Sequence, residues 1–150
     1  MKNETQKATE QELLDKMYKN VTMGSESIVN IMPKVGNEKL RGELCSQLDR
    51  YEDFSKQISV AIEQVGGTPK PENMVSRVSA KMGVAMNTMM DSSTSHIAEM
   101  IIKGATMGIT DMTRTLREYE NSSCSENSLK LARQITAFEE DTVERMKQYL

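Results

Sequence analysis

The sequence predicts an all-α protein, a four-helix bundle, on three observations. Four long stretches repeat apolar residues at spacings of three and four, no stretch sustains the strict alternation of a half-buried strand, and clusters of turn formers fall between the stretches. The four stretches are of similar length, ~24–28 residues or ~36–42 Å at 1.5 Å per residue, as suits rods that bury one face each. At 150 residues the chain fits a single domain, residues 1–150, large enough to bury a core without disulfides.

The first helix is expected over about 9–32, its stripe Leu14, Tyr18, Val21, Ser25, Ile28 and Met32, flanked by Leu13, Met17 and Ile31. Pro33 to Asn37 breaks the pattern, and Asn37 is the expected cap of a second helix over 38–65. There the stripe is Leu44, Leu48, Tyr51, Ser55, Ile58, Ile62 and Val65, stopped by Gly66-Gly67. Steps alternating four and three make a seam that packs helices at shallow angles. The third helix, 94–120, aligns Ile97, Ile101, Gly104, Gly108, Asp111 and Thr115, broadened by Met100, Met107, Met112, Leu116 and Tyr119. The fourth, 126–150, follows a Ser123-x-x-Glu126 capping-box pattern and aligns Ala132, Ile135, Glu139, Thr142, Met146 and Tyr149.

Connection lengths choose the topology. About five residues join helices one and two, and three and four, which makes each pair an antiparallel hairpin. Residues 66–93 separate helices two and three and carry an expected short helix of their own, about 72–90, with Pro71 near its first turn. A connection of this length can cross the bundle and leave helices two and three parallel; the alternative is an all-antiparallel bundle with a protruding third helix.

With its two hairpins, the Gly66-Gly67-x-Pro69 turn and the long crossover before helix three, nearly the whole chain resembles the ferritin-like four-helix-bundle superfamily, in particular small bacterial families of unknown function. The resemblance implies inward Glu residues on helices one and three and Glu-x-x-His on helices two and four, the i, i+3 spacing that brings a carboxylate and an imidazole to one metal pair. This sequence departs from that pattern. It contains no Glu-x-x-His, its sole histidine is His96 with Ser93 three residues before it, and Glu26 falls off the stripe of helix one. Asp111 and Glu139 remain as inward carboxylates, too few for two irons. Ferroxidase activity is therefore not expected.

Asp111 and Glu139 are the leading candidate site residues, because carboxylates are rarely buried without partners. Tyr18, Tyr51, Ser25, Ser55, Thr115 and Thr142 share their inward lines and can form a polar layer, whether a pocket for a single divalent metal or small ligand, or a layer that fixes helix register. A second candidate is His96 with Met100 at i+4, beside the stripe Met82, Met86, Met89 and Met90: thioethers suit Cu(I), although methionine at helical spacing also fills irregular cores. Eight of the 13 methionines lie between Met74 and Met112, and a Met-lined crossover surface is a candidate for homo-oligomer contact. Gly104-x-x-x-Gly108 is expected to allow close helix packing or to make room for a bulky neighbour such as Tyr51.

Composition excludes several functions. A net charge of -3 with interleaved acids and bases gives no footprint for nucleic acid. No apolar run reaches the ~18–20 residues that span a bilayer, and the polar N-terminus lacks a secretory h-region, so no membrane association and a cytoplasmic location are expected. Cys45 and Cys124 have no zinc or CxxC spacing and are expected as reduced thiols. No Ser-His-Asp set or Gly-rich phosphate loop is present. The expectation is a binding, storage or assembly module without catalytic residues or a required cofactor, its protein partner unidentified. The alternatives are a metal protein with an unconventional site and, from the company such bundles keep, a stress- or spore-associated structural protein.

Overall fold

The structure, a computed structural model, describes residues 3–68 and 91–150. Helix α1 spans Glu4–Ile31. It begins earlier than the expected start near Thr9 because Asn3 and Gln6 form a complete capping box, each side chain accepting from the other's backbone N–H. A 3₁₀ turn, Met32–Lys34, follows, and Asn37 then caps α2, Glu38–Gln64, by accepting from the Leu40 N–H at 2.9 Å. Helix α2 stops in a Schellman motif. Gly66 takes the left-handed conformation at φ 73°, its N–H donates to the Glu63 carbonyl, and the Gly67 N–H donates to that of Ile62. Helix α3 spans Thr94–Tyr119 under the Ser93 cap, and α4 spans Glu126–Met146 before a final 3₁₀ turn. The short helix expected at about 72–90, with the Met82 to Met90 stripe and the contact surface assigned to it, lies outside the described residues.

Two local expectations are corrected. The cap of α4 is Ser125, whose hydroxyl accepts from the Ser128 N–H, and not Ser123 with Glu126. Ser125 is favoured because its hydroxyl and N–H also meet the Glu10 carboxylate, which reaches across from α1 and takes a third hydrogen bond from Ser128 Oγ at 2.8 Å. A buried carboxylate against the first turn of a helix also complements the helix dipole. Glu26, expected outside the core, is buried.

Among the described residues the secondary structure is entirely helical, and four helices share one apolar core. The stripes expected for α1, α2 and α4 are those that turn inward: Leu14, Tyr18, Val21, Ile28, Leu44, Tyr51, Ile58, Ile62, Ala132, Ile135 and Met146 are all buried. Helix α3 matches the expected line at Ile97, Ile101 and Thr115 but differs by one position between Gly104 and Asp111. Its buried line runs Ile97, Ile101, Ala105, Met112, Thr115 and Tyr119, leaving Gly104 and Asp111 exposed. Two successive steps of four, 97 to 101 to 105, rotate the seam, so the apolar Met112 enters the core and its charged neighbour leaves it.

Cross-helix contacts fix the directions. Gly24 meets Tyr51 while Gln11 meets Gly67, so α1 and α2 are antiparallel. Lys16 meets Glu118 while Asn20 meets Gly108, so α1 and α3 are antiparallel. Glu43 lies by Arg145 while Tyr51 lies by Glu139, so α2 and α4 are antiparallel as well. No described helix is long and apolar enough to cross a membrane.

Candidate functional site

The centre of the helical core is polar on one level. Tyr51 from α2 and Glu139 from α4 meet there, the phenol donating to Glu139 Oε2 at 3.1 Å. Both are buried, with Glu139 only 2% exposed. Two glycines make the space. A Cβ on Gly24 of α1 would fall 2.4 Å from Tyr51 Cζ, and one on Gly108 of α3 would fall 2.4 Å from Glu139 Oε2. Any larger residue at either position would have to displace half of this pair. Gly108 thus makes room for the Glu139 carboxyl, whereas the bulky Tyr51 ring is seated on Gly24, and Gly104 has no neighbour within 4 Å to accommodate among the described residues. Asn20 pins the level from the side, its Nδ2 donating to the Gly108 carbonyl at 3.0 Å. The Tyr51 ring is held on its other edge by Phe138, centroids 5.0 Å apart and planes at 90°.

Burial controls the electrostatics. It raises the Glu139 pKa from 4.5 to about 8; hydrogen bonding from Tyr51 and Asn20 opposes the shift, and the charge of Asp111 adds to it. Burial also pushes the Tyr51 phenol well up, with the neighbouring Glu139 charge contributing. At neutral pH the unliganded pair is therefore a protonated carboxyl and a phenol, two neutral groups in an apolar wall.

Beside the pair lies a cavity of ≈ 110 Å³ that opens between α1 and α3. Gln47, Tyr51, Glu139 and Asn20 form its polar part, and Ile28, Met100, Ile101 and Ala105 its apolar wall. Met23 and Met107, 43% and 63% exposed, stand with Asp111 at its mouth. Several polar atoms here are buried with no hydrogen-bond partner among the described residues: Glu139 Oε1, both amide atoms of Gln47 and Asn20 Oδ1. An unpartnered buried polar atom costs about 1–3 kcal/mol, so this arrangement is unfavourable unless something enters and bonds to it.

Of the four site residues expected from the sequence, the structure brings Asp111, Glu139 and Met100 to this one cavity. Glu139 lies at its floor and the exposed Asp111 at its mouth, so they are not a pair of core carboxylates. His96 does not line this cavity; it is half-exposed, with Nδ1 3.7 Å from Glu99 Oε2, and the Met82 to Met90 stripe expected beside it lies outside the described residues. The expected threonine layer bonds to its own helices: Thr115 Oγ1 donates to the Asp111 carbonyl and Thr142 Oγ1 to that of Phe138. Gln47 and Asn20 were not expected. Gln47 precedes Tyr51 by four on the same face of α2, a signal available in the sequence, whereas Asn20 carries none. No group of three or more His, Cys, Asp or Glu side chains positioned to hold a metal ion occurs among the described residues.

The site thus belongs to a class of helical protein with a small, mostly apolar core cavity and a polar floor. Comparison with known family models, with curated proteins and with solved structures finds no significant match for this chain.

Proposed function

We propose that the chain is a four-helix bundle of ferritin-like topology that works as a non-catalytic binding module, taking a small organic ligand into the cavity beside Glu139. The topology is supported by the helix directions: with α2 antiparallel to α1 and α1 to α3, α2 and α3 run the same way, so the end of α2 and the start of α3 lie toward opposite ends of the bundle. At mid-bundle, where the resemblance implies a cluster of carboxylates and imidazoles, this chain has one carboxyl, one phenol and two amides. Such a donor set suits hydrogen bonding to an organic group better than the coordination of two irons. A single observation carries the binding role: a mostly apolar cavity ends in Gln47 and Glu139 Oε1, which are buried and have no partner among the described residues. Few convergent polar groups at the end of an apolar pocket are the usual anatomy of a small-molecule site.

The test is a fragment mixture titrated into methyl-labelled protein. Saturable shifts at the Met23, Met100 and Met107 methyls are expected; compounds that leave all three unmoved would remove the binding role. The alternative, a single divalent metal held by Asp111 and Glu139, is favoured only by their sharing one cavity. Titration with Mn(II), Fe(II) and Zn(II) decides it: binding that is absent, or unchanged in Asp111→Asn and Glu139→Gln, eliminates the metal.

A further inference from the structure

The charges and unpartnered atoms around the cavity specify more than its size. Among the described residues two acidic side chains line it, Glu139 at the floor and Asp111 at the mouth, and no lysine, arginine or histidine does. Lys16, Lys19 and Arg114 line an adjoining groove that shares Asp111, Asn20 and Met23 with the cavity. Three of the unpartnered atoms are oxygens able to accept: Glu139 Oε1, Asn20 Oδ1 and the Gln47 carbonyl. Beside them Gln47 Nε2 is an unpartnered donor, so oxygens outnumber N–H groups at the floor, and the charge that bears on Glu139 is the negative one of Asp111. An anionic ligand would be repelled by Asp111 at the mouth, and a ligand that only accepts would leave the Asn20 and Gln47 carbonyl oxygens unpartnered. A cation with several N–H groups meets both conditions.

The rest of the cavity suits the body of such a ligand. Its volume, ≈ 110 Å³, is below that of the ~150 Å³ cavities that hold benzene, so it takes a short aliphatic chain. Ile101 and the thioethers of Met100, Met107 and Met23 line the path from floor to mouth. Methionine is adaptable and polarisable, and therefore accommodates chains of varying shape.

We infer that the cavity is a site for a small organic cation, a primary alkylammonium, with its ammonium group against Glu139 and Gln47 and its short chain along Met100, Ile101 and Met107. This rests on the proposed binding role of the same cavity and adds the chemical class of the ligand. Glu139, protonated at neutral pH in the unliganded protein, releases its proton to solvent as the ammonium group docks and then acts as counter-ion, and Asp111 is a charge that draws the cation to the mouth.

The experiment compares n-butylamine, n-butanol and butyrate on the full chain, followed by the methionine methyl signals, with those of the buried Met17 and Met146 as folding controls. Butylamine is expected to shift Met23, Met100 and Met107 saturably and to bind at least about tenfold tighter than butanol, since the ammonium makes charge-assisted hydrogen bonds; butyrate is expected not to saturate. Glu139→Gln, which preserves side-chain shape, should weaken butylamine at least about tenfold. Asp111→Asn, at an exposed position where the core is untouched, should weaken it about two- to fivefold, as suits a screened surface charge. Butanol or butyrate binding as well as butylamine, or butylamine binding unchanged in both variants, would overturn the cation class while leaving a binding cavity in place. If none of the three moves the methyls and the fragment mixture does not either, both proposals fall; if fragments bind and butylamine does not, only the cation is lost.

Discussion

Glu139→Gln should abolish most of the pH dependence of stability between pH 5 and pH 9. In the folded protein burial raises this carboxyl from 4.5 to about 8. The folded state therefore holds its proton more tightly than the unfolded chain does. Below about pH 4.5 the group is protonated in both states and its ionisation costs nothing. As pH rises from there to about 8, the unfolded chain loses the proton first and stability falls; above about 8 the full penalty applies. At 1.36 kcal/mol per pH unit the interval corresponds to about 4–5 kcal/mol, a large share of the ~5–15 kcal/mol typical of a domain. Glutamine keeps the shape and still accepts from Tyr51, but carries no proton to lose. Urea denaturation followed by circular dichroism at each pH, for wild type and variant together, isolates the effect, because all other titrations cancel in the difference. Wild type should be less stable at pH 9 than at pH 5 by several kcal/mol relative to the variant. Parallel curves would refute the claim that an ionisable carboxyl is held in a dry part of the core.

The glycines give a paired test in thermal or urea denaturation. Gly24→Ala should destabilise by about 1–3 kcal/mol, since its Cβ would press on the rigid Tyr51 ring, whereas Gly104→Ala should stabilise by about 0.5–1 kcal/mol, its site being open. Gly66→Ala should cost about 1 kcal/mol, because φ 73° places a Cβ in the left-handed region. Ser125→Ala should destabilise by at least about 1 kcal/mol and Ser123→Ala by almost nothing; the reverse order would restore Ser123 as the cap of α4.

The apolar seams of α1, α2 and α4 were legible in the sequence because their spacing is regular and their neighbours are polar. Asn37 and Gly66-Gly67 were legible because caps and stops are local chemistry. Helix α3 was misread from Gly104 to Asp111, where small residues and methionines flank the line on both sides and two faces one position apart score alike; the approach of α1 and α4 decides between them. Glu139 stood out as a charge on an otherwise apolar line. Its partner could not be read, since Tyr51 lies 88 residues away and meets it only through helix packing. The same limit hid Glu10, whose hydrogen-bond partner Ser125, the cap of α4, lies 115 positions later.

That last contact ties the beginning of the chain to its final helix. The opening turn of α4 takes its finishing acceptor from α1, so a hairpin of α3 and α4 formed alone would have a loosely held N-terminal end. Docking of α1 completes it. Opening at Ser125 and Ser128 therefore requires α1 to pull away, and amide exchange there should report separation of the two hairpins instead of the fraying usual at a helix end.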